Sequence, residues 1–62
     1  MKIYMDPKEY IIINLEEVKQ VTKYGATGIS IEFKDGCLKA FDLLTEYERD
    51  QEFRVIYHEM TR

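Results

Sequence analysis

The sequence predicts an α+β fold: a small antiparallel sheet of four to five short strands, a meander of hairpins, with one C-terminal helix packed on one face. Three observations carry this. Residues 29–43, ISIEFKDGCLKAFDL, alternate apolar and polar side chains on either side of Asp35-Gly36, the period of half-buried strands joined by a tight turn. Short β-branched runs precede that stretch. From Thr45 onward a capping pattern leads into apolar residues at helical spacing.

Lys2 to Met5 reads as a short first strand. Asp6-Pro7-Lys8-Glu9 has the chemistry of a type I turn, with Asp first and Pro second. Tyr10 to Ile13 follows as a second, antiparallel strand, since three successive isoleucines favour extended backbone. Along it Tyr10 and Ile12 should point one way, Ile11 and Ile13 the other. Asn14 to Lys23 is ambiguous. Leu15, Val18 and Val21 recur every third residue, as on one side of a helical turn, and Asn14 with Glu17 could cap one. A turn at Leu15-Glu16-Glu17 entering a strand from Val18 to Tyr24 is favoured, because the neighbours are β. Gly25-Ala26-Thr27-Gly28 then connects to the main hairpin.

In that hairpin a two-residue type I′ turn at Asp35-Gly36 sets Phe33 opposite Leu38, Glu32 opposite Lys39 and Ile31 opposite Ala40. Apolar meets apolar and opposite charges meet. The rival is a three-residue loop with a Gly bulge, which pairs Phe33 with Cys37 and Ile31 with Lys39. It ranks second on pattern. In the helix, Thr45 at N-cap and Glu48 at N3 form a capping box. Glu46, Glu48 and Asp50 suit the positive end of the helix dipole, and Arg54, His58 and Arg62 the negative end. Phe53, Ile56, Tyr57 and Met60 share the packing face.

This assignment poses a packing problem. One helix covers one face of a sheet. The favoured register puts Ile29, Ile31, Phe33 and Leu38 on one face and Phe41, Leu43 and Cys37 on the other. A small antiparallel sheet normally keeps one face polar. The second face must therefore curl over itself, sit partly exposed or meet a partner, and the expectation is a homodimer or larger homo-oligomer joined through that face or a sheet edge.

The chain has 62 residues, enough for a single domain over 1–62. A domain this size buries only ~60% of its unfolded surface. Cys37 is the only cysteine and His58 the only histidine. An internal disulfide is therefore excluded, and no metal site or cofactor is expected. Self-association is the remaining source of added stability. The longest apolar run, Tyr10 to Ile13, is too short to span a membrane, and no signal-peptide core follows Lys2. A cytoplasmic protein is expected.

Functional motifs are weak. His58-Glu59 begins like a zinc-protease HExxH, but Arg62 stands where the second His belongs, so the motif is rejected. Cys37 lies near Lys34 and Lys39, yet a small semi-buried residue explains it more simply than a reactive thiol. The acidic groups read as solvated faces and dipole partners. No phosphate-cradling glycine motif or serine elbow is present, and no enzyme activity is expected. The leading reading is a small non-enzymatic protein–protein interaction module, as an accessory subunit or an acidic inhibitor of the kind phages and mobile elements encode. Its contact residues would be Ile11, Ile13, Phe41, Leu43, Glu46, Tyr47, Glu48 and Asp50, toward itself and an unidentified protein partner. The alternative is single-stranded nucleic-acid binding by the lysines and five tyrosines, most of them on the β part. Against it stands a net charge of −3, because such binders usually carry a basic field.

Overall fold

The computed structural model describes residues 2–62. It is α+β, with five strands among the described residues, split into two sheets instead of one. β1 (Ile3–Met5) and β2 (Ile12–Asn14) form a two-stranded hairpin. A 3-10 turn, Leu15–Glu17, leads to β3 (Val18–Tyr24), β4 (Gly28–Phe33) and β5 (Leu38–Asp42), an antiparallel three-stranded meander. The helix α1 spans Glu46–Thr61.

The expected single sheet is broken at the 3-10 turn. Asn14 caps it, its side chain accepting from the Glu16 amide, the donor two residues on that an Asx turn satisfies. The Leu15 amide donates instead to the Lys2 carbonyl at 2.8 Å. β2 thus ends its ladder on β1, and the chain turns before β3 begins.

The same region resolves the threefold spacing of Leu15, Val18 and Val21. A 3-10 turn has three residues per turn, and Leu15 and Val18 are both buried. In a regular strand Val18 and Val21 would face opposite ways. The pairing with β4 shifts between Val18 and Gln20, a bulge at Lys19. One extra residue restores the parity, and Val21 packs against the core as Val18 does. The third-residue repeat comes from a 3-10 turn and a bulged strand, without an α-helix.

The first reversal is longer than a four-residue turn. The Tyr10 amide donates to the Asp6 carbonyl and the Asp6 amide to the Ile11 carbonyl. Tyr10 closes the loop in the left-handed region, at φ 58°. The second strand therefore starts at Ile12 and not at Tyr10, and Ile11 does not follow Ile13 inward.

The largest correction concerns the Asp35-Gly36 hairpin. The structure adopts the second-ranked register: Ile31 pairs with Lys39, Ser30 with Ala40 and Ile29 with Phe41. The Phe33 amide donates to the Cys37 carbonyl and the Gly36 amide to the Phe33 carbonyl. Gly36 has φ 94°, a conformation that disfavours any residue with a Cβ. Asp35 Oδ1 accepts from the Cys37 amide at 2.9 Å. A one-residue slip exchanges the two faces of a strand. Phe41 is buried beside Ile29, whereas Leu38 is turned out and 70% exposed.

With that slip, the meander has one apolar face. Residues paired directly across strands share a face, so Lys23 lies on the side of Ile29 and Lys39 on the side of Ile31. Lys23 reaches Asp50 and the Phe53 ring of α1. Lys39 reaches Asp6 and Glu9 in the β1–β2 reversal. Helix and hairpin therefore cover the same face, toward the β3 edge and the β5 edge respectively. The core between them is Tyr4, Ile13, Leu15, Val18, Ile29, Ile31, Phe41 and Ile56.

The helix starts where expected. Thr45 Oγ1 accepts from the Glu48 amide at 3.1 Å. Ile56 is buried, and Phe53 and Met60 pack partly against the core, but Tyr57 is exposed. The inward position of the polar first half belongs to Arg49, which is buried. Its Nη1 donates to the carbonyls of Gly25 and Gly28, and its Nε to Asp50. One guanidinium thus satisfies the β3–β4 turn and orients its helix neighbour.

Candidate functional site

The outer face of the meander carries Gln20, Thr22, Tyr24, Ser30, Glu32, Ala40 and Asp42 beside Leu38. Gln20 Nε2 donates to Glu32 at 2.7 Å. Asp42 accepts from Thr27 Oγ1 at 3.1 Å and, at 3.5 Å, from the Tyr24 hydroxyl. The Tyr24 ring lies over Gly28, where even a Cβ would approach it to 2.5 Å. This face is mostly polar and internally bonded. The apolar second face inferred for the sheet does not exist, because it belonged to the other register.

The eight predicted contact residues do not form one surface. Ile13 and Phe41 are core, and Leu43 packs against the core. Asp50 is held by Arg49 at 2.8 Å and Lys23 at 3.1 Å. These bonds keep its carboxyl below the ordinary carboxylate range. Glu46, Tyr47 and Glu48 are exposed on the first helical turn, and Ile11 is exposed on the hairpin.

What the structure does assemble is the outward face of β1–β2. Tyr4 and Ile13 pair across the strands and point into the core. Their neighbours Ile3, Met5 and Ile12 point out with Asn14, as the pleat requires, and Tyr10 and Ile11 are exposed in the reversal that joins the strands. These five apolar residues are 43% to 75% exposed, on the order of 600 Å2 with backbone and the Tyr10 hydroxyl included, within the range of the largest patch on an ordinary monomer. The alternation in Ile11-Ile12-Ile13 carried part of this signal.

The remaining chemistry is sparse. Cys37 is exposed, not semi-buried. Asp35 bonds to it and pushes its thiol up, the reverse of the electropositive setting that Lys34 and Lys39 would supply. An open groove of about 330 Å3 is lined by Lys23, Asp50, Phe53, Arg54 and Tyr57. Among the described residues no group of three His, Cys, Asp or Glu side chains is placed to hold a metal ion. No helix there is long and apolar enough to cross a membrane. Compared with protein-family models, with curated proteins and with solved structures, the chain matches none, so any functional reading rests on this geometry alone.

Proposed function

We propose that this protein is a small non-enzymatic protein–protein interaction module of the cytoplasm, and that its contact surface is the outward face of the β1–β2 hairpin. One observation carries the reading: Ile3, Met5, Tyr10, Ile11 and Ile12 are exposed together within a span that also supplies Tyr4 and Ile13 to the core. Contiguous apolar area of this size on a small domain marks an interaction site. Aromatic residues and Met are enriched at protein interfaces, and Tyr10 and Met5 supply both here. The single exposed thiol of Cys37 suits a reducing compartment.

The nucleic-acid alternative finds less support. The open sheet face presents Glu32 and Asp42, and its tyrosine, Tyr24, bonds to Asp42. Carboxylates there oppose a phosphate backbone.

A photo-crosslinking amino acid at Met5 or Ile12, introduced in the cells that make the protein, should give covalent adducts with protein. The same group at Thr22, on the polar face, should give few. Equal yields at all three positions, or none at Met5 and Ile12, would refute the reading.

A further inference from the structure

We infer that the occupant of the β1–β2 face is a second copy of this chain, bound about a twofold axis that lays the tip of one hairpin over the base of the other. This deepens the proposed function and rests on it. Area is the first support. Two such faces pressed together remove at most roughly 1,200 Å2 from water, the lower bound of a standard specific interface. The patch takes roughly one-seventh of a total surface of 4311 Å2, more than the ~10% that a small protein commits to such a contact.

Charge gives the orientation. Lys8 sits in the reversal at the tip, and Glu16 in the 3-10 turn just past the base. Both are exposed, and neither makes an ion pair among the described residues. Of the other charges near this hairpin, Lys2 donates to the Met60 carbonyl and Asp6 and Glu9 are held by Lys39, while Glu17, exposed beside Glu16 and also without an ion pair among the described residues, adds to the negative charge past the base. A twofold axis makes every contact occur twice, residue i on j and j on i. Tip on tip would set Lys8 against Lys8. Tip on base sets Lys8 against Glu16 at both ends, and like charges brought together select against the wrong arrangement.

Sedimentation equilibrium of the purified chain tests this, with circular dichroism checking that each variant stays folded. The chain should dimerise with a dissociation constant on the order of 10 μM, at the weak end of the range for standard interfaces. Ile12→Lys, at an outward position, should weaken dimerisation at least a hundredfold. Lys8→Glu and Glu16→Lys should each weaken it about tenfold, because each places like charges together twice. The double variant Lys8→Glu/Glu16→Lys should return within about threefold of the parent, and an equimolar mixture of the single variants should form heterodimers. A monomer up to about 1 mM overturns the inference. So does a dimer insensitive to Ile12→Lys, or one that the charge swap fails to restore. A monomer that still crosslinks to another protein through Met5 or Ile12 sinks the self-association and leaves the interaction reading standing. Absence of any adduct sinks both.

Discussion

Asp6 shows how one residue can serve two masters. Its Oδ1 accepts from the Lys8 amide at 2.8 Å, the role that an Asp opening a turn usually plays. The whole side chain is also buried, and its Oδ2 has no hydrogen-bond donor. Lys39 Nζ lies 3.3 Å away without the alignment for a bond, and donates to Glu9 at 2.7 Å. The Glu9 bond is the main reason the lysine holds its proton above the ordinary range. A buried charge stripped of its partner is far costlier than an exposed one. Lys39→Met should therefore destabilise the fold by about 3 kcal/mol, whereas Glu9→Gln, exposed, should cost less than about 1 kcal/mol. Urea unfolding of the two variants decides this, and equal costs would mean that Asp6 is not the residue Lys39 compensates. The turn role of Asp6 is legible locally. Its burial depends on a lysine far along the chain, which turn chemistry does not reveal.

Among the elements, strand and helix identities follow from local chemistry, and their faces do not. Thr45 caps α1 with the bond that its spacing to Glu48 implies, and Asn14 turns the chain where its side chain can reach an amide. β5 was assigned correctly as a strand, but facing the wrong way. Cross-strand pairs taken two at a time favour Phe33 opposite Leu38. The real register is chosen by what lies above the sheet: it gives Phe41 to the core beside Ile29 and leaves Lys39 facing the hairpin's carboxylates. The two registers differ sharply in what substitutions cost. Phe41→Ala should lose about 3–5 kcal/mol by opening a cavity, and Leu38→Ser should change stability by no more than about 0.5 kcal/mol. Denaturant midpoints reversed in order would restore the type I′ pairing. The bulge at Lys19 was hidden in the same way, since a third-residue repeat reads as helix unless an extra residue is allowed for.

Across the whole molecule, the helix and the hairpin are tied to each other as well as to the sheet. The Tyr4 hydroxyl donates to Glu52 at 2.6 Å, and Lys2 Nζ to the Met60 carbonyl at 3.1 Å. Burial first, and the bond to Glu52 second, hold the Tyr4 phenol far above its usual range. The folded state therefore keeps that proton when the unfolded chain gives it up. Its contribution is complete below the ordinary tyrosine value of about 10 and falls away as pH rises beyond it. Between about pH 9.5 and 11.5 the parent's melting temperature should drop more steeply than that of Tyr4→Phe, which has no proton to lose there. Parallel curves would show that Tyr4 is not the group that couples the hairpin to high pH. The expected contact residues erred at this scale too. Ile13, Phe41 and Leu43 are surface residues only if a single helix is the sheet's cover; the β1–β2 hairpin is a second cover and takes all three into or against the core.

By itself the sequence determined the start of the helix at Thr45, the turn after Asn14 and the reversal at Asp35-Gly36, because caps, Asx turns and left-handed glycines act within a few residues of backbone; the start of β2 and the length of the first reversal were not among them. It also determined that apolar side chains outnumber what one helix can shelter. Only the tertiary structure decided which strands share a sheet, which way β5 faces and where the uncovered apolar surface lies. Those choices turn on burial summed over residues distant in the chain, and a shift of one residue reverses them without altering any local preference.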